Sequence, residues 1–585
     1  MKTSGAWKVA SLILLAILES WNCYYAVAFV SRISPLSSSS IASRKAARHR
    51  NHEHEKRKQR RRRGQQQQHK MTSTSPTIEA DLCIIGGGIS GLSAAIEAAT
   101  LLKTKQQRQQ QSSPKKNDNS DSNNDARIIL LESQDRPGGR VSSDYINGYV
   151  LDRGYAVFIE EYPSSKALFD YSALGLQAYD PGALIKVTSS EDGFARVADP
   201  LRQPSRLLEA LTSSVGTKLD LLRLAPLFFH VKTKSVSELF DENEVDTLSC
   251  LKDKYGFSDK MIREFFEPFL AGIYFSPLDE QSSRMFHFVF KMFADGAATL
   301  PSGGMQAVSN QLMERAISLG VDVRLNRSVT RVMAQNPTTT TAAAAGYRIE
   351  ESTQGSAIHC QSVVFATEEP VARKLLSSLE GLEGLSSSSE SLEENCVSIP
   401  SQRSVGCVYY TFPNSEETTP VHDKVLILNG EGLESGPALT VSFLHRIHES
   451  YAPPGHGLCS VSVPETYMKE YHGREKALDT RIRQQLSGWW PDYRDIIHNQ
   501  WRFEKSYDIQ NAQPGQLKGS FPANVHGGRD CSKWIGGGGS FFELPKGVFV
   551  CGDYMATSTL NGAIESGLNA AQAAARFLGG GGGGK

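Results

Sequence analysis

Residues 84–92 read Ile-Ile-Gly-Gly-Gly-Ile-Ser-Gly-Leu, and this stretch decides the fold. Gly86, Gly88 and Gly91 form G-x-G-x-x-G between a largely apolar run, Ile78 to Ile85, and an Ala-rich run, Leu92 to Leu102. The pattern predicts strand, tight turn and helix. The first glycine permits the turn, the second lets backbone approach a pyrophosphate, and the third lets the helix pack against the strand. Ser90 falls in the first turn of that helix, whose N–H groups and positive dipole end favour a phosphate. A glycine-rich turn alone would carry little; the two flanks make this a dinucleotide site.

A second strand, Arg127 to Leu131, ends at Glu132. An acid at this point can accept hydrogen bonds from ribose hydroxyls. It usually follows the glycines by about 20 residues; here the separation is about twice that. The excess, residues 103–125, is rich in Gln, Ser, Asn and Lys, which predicts a disordered surface insertion. Loops of this kind lengthen at small entropic cost.

After Glu132 the chain runs Ser-Gln-Asp-Arg-Pro-Gly138-Gly139-Arg140. This second pair of glycines, with a cation beside it, exceeds what a simple NAD site requires. Here the chain resembles the flavin-containing amine oxidase superfamily, which includes monoamine and polyamine oxidases, protoporphyrinogen oxidase and plant-type carotenoid desaturases. The resemblance implies that Arg140 lies near the pyrophosphate of FAD. It continues in Val548 to Asp553, a strand ending in Gly552-Asp553, and in Asn561-Gly562-Ala563-Ile564 opening an Ala-rich helix to about Leu578. By that likeness Asp553 binds the ribityl chain, and the Asn561–Ile564 backbone faces the flavin pyrimidine edge, where a helix dipole favours negative charge. The wording of this C-terminal segment is closest to plastid carotenoid desaturases. Weaker matches are Leu300 to Met305, Gly320 to Val332 with Val329 against the adenine, Ser362 to Thr367, and a D-x-G segment in which Gly154 passes near the flavin ring.

The resemblance implies an α/β fold: a Rossmann-type FAD-binding domain with a second, discontinuous α+β substrate domain. The expected pieces are 77–170, 291–370 and 535–578 for FAD, and 171–290 and 371–534 for substrate. Ser377 to Glu394 and the tail 579–585 read as flexible. Tyr554 to Leu560 contains no cysteine to carry a flavin, so the FAD is expected to be noncovalent. Leu219 to Phe229 is apolar with basic flanks. It suits either a peripheral membrane contact or a core helix; Pro226 breaks its period, and core is the favoured reading. Tyr409-Tyr410 and Trp489-Trp490 suit either an aromatic pocket or core.

Formal net charge is zero, yet Lys and Arg crowd residues 44–70, leaving an acidic body that excludes nucleic acid as a partner. The nine cysteines show no C-x-x-C spacing, which predicts reduced thiols and no metal site. Lys2 and Lys8 flank an apolar run, Val9 to Leu18, followed by Ala26-Val-Ala28 and Phe29. A basic, acid-poor segment then reaches residue 76. The whole resembles the bipartite presequence of diatom-type plastids and predicts a stromal or thylakoid-surface location; plain secretion is the alternative.

The expected activity is removal of two electrons from a small apolar plastid substrate, most simply a carotenoid-type desaturation. Protoporphyrinogen or amine oxidation and a non-redox flavoprotein such as a carotenoid isomerase are the alternatives. No His, Cys or Ser constellation near the motifs marks a catalytic side chain, and the oligomeric state is left open.

Overall fold

The computed structural model describes residues 78–112, 126–154, 157–190, 193–198, 202–206, 209, 212–335, 346–352, 357–379, 402–519, 529–535 and 541–579. All belong to one compact unit that begins at Ser75. The presequence and most of the Ser377–Glu394 segment lie outside the described residues.

One seven-stranded sheet carries the nucleotide motifs. Its strands are β1 (Ile78–Ile85), β2 (Ile128–Leu131), β3 (Asp322–Arg324), β4 (Val329–Gln335), β5 (Gly346–Glu351), β6 (Ala357–Phe365) and β7 (Val548–Val550). The order is β3-β2-β1-β6-β5-β4, with β7 also paired to β6. β3, β2, β1, β6 and β7 are mutually parallel, while β5 runs antiparallel to β4 and β6. Parallel strands need both faces covered, and β2 is accordingly buried at every position.

Four helices matter here: α1 (Ile89–Ser112), α2 (Lys218–Thr233), α3 (Gln306–Ser318) and α4 (Leu560–Leu578). Leu92, Ala95 and Ala99 of α1 pack with Leu312 of α3 and Ala570 and Ala574 of α4 in one core. Small residues let α1 and α4 meet closely: a Cβ on Gly567 would lie 2.2 Å from the Ser90 carbonyl oxygen. The other face of the sheet packs on the helix Glu369–Leu376 and on Trp534 and Tyr554.

The second sheet is built from Gly182–Lys186, Phe194–Ala198, Gln402–Pro413, Leu426–Asn429, Thr440–Phe443, His456–Pro464 and Arg502–Pro514. It is antiparallel except where Leu426–Asn429 runs parallel to Gly182–Lys186. A mixed α/β fold with a parallel nucleotide sheet and a second, discontinuous sheet is therefore present.

Two expectations need correction. The insertion expected from Lys103 onward is helical as far as Ser112. Its Lys, Gln and Arg are good helix formers, and Lys105 Nζ donates to the Ala575 carbonyl of α4 at 2.7 Å. The apolar run Leu219 to Phe229 forms much of α2 but is not core throughout: Leu219, Leu222 and Phe229 are 53%, 59% and 58% exposed. Gly320 to Val332 supplies two strands of this sheet, β3 paired with β2 and β4 with β5. The open alternative for the aromatic pairs resolves to core: Tyr409, Tyr410, Trp489 and Trp490 are all buried in hydrophobic clusters.

Candidate functional site

Two glycines fix the β1–α1 turn. Gly86 has φ +112°, and a Cβ there would lie 2.6 Å from the Ala366 carbonyl oxygen. A Cβ on Gly91 would lie 2.0 Å from the Gly86 carbonyl oxygen. Any side chain at either point would force strand and helix apart.

The second motif docks onto this turn. The Gly138 N–H donates to the Gly87 carbonyl at 2.8 Å, and Gly88 and Gly138 form a parallel bridge. At Gly88 and Gly139 the side-chain positions are open: the nearest atom to an added Cβ is 3.9 Å away in each case. Two backbones thus face each other across a space that only glycines leave, beside the N-terminus of α1. That is the form of a pyrophosphate cradle.

Glu132 lies at the cradle's far side. Its carboxylate accepts from the Gly87 N–H at 2.6 Å and the Gln134 N–H at 2.8 Å. The Glu132 carbonyl accepts from the Arg327 N–H at 2.7 Å, which holds the chain just before Val329 against this strand end. Glu132 and Val329 are therefore at one end of the site, as a ribose and adenine contact requires.

Arg140 joins the second motif to the third. Its guanidinium donates to Asp553 at 2.8 Å and to the Ala512 carbonyl at 2.8 Å. Burial alone would lower its pKa, but the Asp553 carboxylate outweighs this and holds Arg140 above its ordinary value. Asp553 follows β7 through Gly552, whose N–H donates to the Ser566 hydroxyl of α4.

α4 begins under Thr559, whose hydroxyl accepts from the Gly562 N–H at 3.1 Å. A Cβ on Gly562 would lie 2.0 Å from the Thr557 carbonyl oxygen, so this bend requires glycine. The Asn561 side chain accepts from the Ser164 N–H and donates to Glu565, both at 2.9 Å. It anchors the helix start. Gly154, at φ +94°, is buried with Ile509 as its nearest neighbour.

Several supporting contacts carried no sequence signal. Asp152, the aspartate of the D-x-G segment, is 2% exposed. It accepts from the Met305 N–H at 2.9 Å, from Ser143 Oγ at 2.5 Å and from Tyr451 Oη at 2.9 Å. Burial nevertheless pushes its carboxyl up to about 6. Asp144 shows the opposite balance: burial raises it, but Arg153, Arg136 and Tyr507 together bring it down to about 2. Gln306 at the start of α3 donates to the Pro137 carbonyl, bracing the Gly138–Gly139 loop. Only a three-dimensional view brings these partners together.

One set of metal-ligand type, which the cysteine spacing does not reveal, lies among the described residues. His230, Glu242 and His287 offer ligand atoms within 4.8 Å of one another. They come from distant segments, which is why spacing did not show them. Lys234 and Lys254 both pair with Glu242, and Lys254 Nζ lies 3.3 Å from His230 Nε2. His230 Nε2 also meets Glu242 directly at 2.8 Å, so the cluster's groups already pair with one another and with lysines.

The geometry agrees with the comparisons to known proteins. The family model for flavin containing amine oxidoreductase matches residues 89–575, and the chain belongs to that family. Its cofactor is FAD, and it is an FAD-dependent oxidoreductase. Coproporphyrinogen III oxidase of Propionibacterium freudenreichii subsp. freudenreichii is 24% identical over 227 residues, which span 36% of this chain and 37% of that protein. The match thus covers little more than a third of the relative's length. A candidate protoporphyrinogen oxidase of Exiguobacterium sp. 255-15 shares the fold at TM-score 0.52 and 16% identity, over 85% of this chain and 98% of that one. Cyclohexylamine oxidase from Brevibacterium oxydans IH-35A does so at TM-score 0.54 and 15% identity, over 86% and 100%.

Proposed function

We propose that this protein removes two electrons, as a dehydrogenation, from a small apolar substrate of a plastid, with carotenoid-type desaturation as the first reading. The observation that carries this is the apolar cluster abutting the flavin helix. Tyr162, Phe240, Phe266, Tyr274, Phe286 and Phe288 form one core that reaches Leu560, the first residue of α4. Tyr162 stacks on Phe288 at 5.9 Å, and Tyr274 spends its hydroxyl on the Met285 carbonyl at 2.8 Å. These side chains are packed core, and apolar surroundings of this kind beside α4 suit a hydrocarbon better than an ammonium, which would lose its hydration there.

Bound FAD supplies the two-electron acceptance. Gly88, Gly139 and the α1 N-terminus would hold its pyrophosphate, Glu132 its ribose, and Arg140 and Asp553 the middle of the molecule. The protein's own share is to orient a C–H bond beside the α4 N-terminus and to exclude water. The positive end of α4 favours negative charge at its start.

Porphyrinogen oxidation is the second reading, favoured by the likeness to coproporphyrinogen III oxidase. Incubating the FAD-loaded protein with carotenoid precursors, porphyrinogens and polyamines, each analysed by product mass, tests both. The expected product is a carotenoid precursor that has lost two hydrogens per turnover, or a porphyrin that has lost six hydrogens over three two-electron steps. Turnover of polyamines alone rejects the proposal.

A further inference from the structure

We propose that the outer face of α2 rests on the surface of a lipid bilayer. This face has two sides with different jobs. Leu227 and Val231 point inward, fully buried in the cluster that reaches Leu560. Leu219, Leu222, Pro226 and Phe229 are exposed. Their spacing of three, four and three residues places them on one face, in a stripe about 15 Å long at the rise of an α-helix.

The charged side chains that α2 itself exposes are basic. α2 has one acid, Asp220, and it is fully buried. It serves the capping box with Thr217 and accepts from Ser258. The charged side chains that α2 exposes are Lys218 and Lys232, one at each end of the stripe. Lys232 also reaches Asp295 at 2.7 Å and lies 5.7 Å from the Phe228 ring centre. Lys218 donates to the Ser213 carbonyl at 3.3 Å, so both lysines would exchange a protein partner for a lipid phosphate on docking; an exposed apolar stripe bracketed by lysines is the pattern of an interfacial helix.

The stripe is also too narrow for most protein partners. A stable protein interface covers about 800 Å² on each side, whereas insertion of a few apolar side chains suffices at a bilayer. Among the described residues no helix is long and apolar enough to cross a membrane, so the contact lies on the surface. The docking does not depend on which apolar substrate the enzyme takes. It would bring the apolar cluster behind α2 close to the lipid phase.

The test uses the full FAD-loaded chain and vesicles of equimolar phosphatidylcholine and phosphatidylglycerol. Leu222→Ser with Phe229→Ser alters only exposed positions, so FAD content and reduction of the flavin by dithionite should stay unchanged. Sedimentation with vesicles should fall at least about tenfold. A Leu222→Trp variant should gain indole emission over the wild type that brominated lipid quenches. Vesicle binding kept in full by the double variant would overturn the proposal. So would an unquenched indole, or a dimer in solution that the double variant dissociates, which would make the stripe a contact between copies.

Discussion

Glu132 shows how a single carboxylate ties loop to cofactor. It already accepts two backbone N–H groups, from Gly87 and Gln134, so its oxygens are held at the cradle before any ribose arrives. Glu132→Ala should weaken FAD binding by about 1–3 kcal/mol, the usual cost of stranding polar partners. Fluorescence titration of the FAD-free protein reads this directly, and an unchanged affinity would move the ribose contact elsewhere. Asp152 gives a pH signature. Its carboxyl, 3.8 in the ordinary range, is pushed up to about 6 by burial. Between about pH 4 and 6 the folded protein therefore keeps a proton that the unfolded chain has released, and stability falls as pH rises through that window. The full shift is worth about 3 kcal/mol. Asp152→Asn has no such titration. The melting temperature of the wild type relative to this variant should decline from pH 4 to pH 6, and a difference that grows with pH would contradict the assignment.

Elements were legible where periodicity and punctuation agree. β1 spans Ile78–Ile85, as the apolar run before Gly86 indicates, and α4 ends at Leu578. The extension of α1 to Ser112 was not legible, because a Gln- and Lys-rich run reads as polar loop until Lys105 is seen capping the Ala575 carbonyl. The exposed face of α2 was hidden for a related reason. An apolar helix reads as core unless one knows which half of it has a partner. The bend before α4 separates two kinds of change. Thr559→Ala removes an N-cap and should cost about 1 kcal/mol of stability while FAD content survives. Gly562→Ala drives a Cβ toward the Thr557 carbonyl at 2.0 Å, so the helix start must shift, and the purified protein should lose most of its FAD. Absorbance at the flavin band distinguishes them; equal FAD content in both variants would mean that the helix start does not position the ring.

At the scale of the molecule, three segments far apart in sequence meet at one place. Gly138 bonds to Gly87, Arg140 to Asp553, and Gly567 packs on Ser90. The motifs at the two ends of the chain were readable because each carries its own backbone geometry. The Asp152 network and the His230–Glu242–His287 cluster were not, since neither has a local pattern. Plastid delivery, proposed from Ala26-Val-Ala28-Phe29, is checked by fusing residues 1–76 to a fluorescent protein in a diatom. Plastid fluorescence is expected, with arrest outside the inner envelope when Phe29 is replaced by a charged residue, whereas secretion into the medium would reject it. The central claim is chemical, and anaerobic rapid mixing tests it most directly. The oxidised flavin absorbance should bleach in a single turnover on mixing with a carotenoid precursor or a porphyrinogen, yielding one dehydrogenated product per FAD, and polyamines should leave it unchanged. Bleaching by polyamines with no response to either apolar substrate would contradict the account.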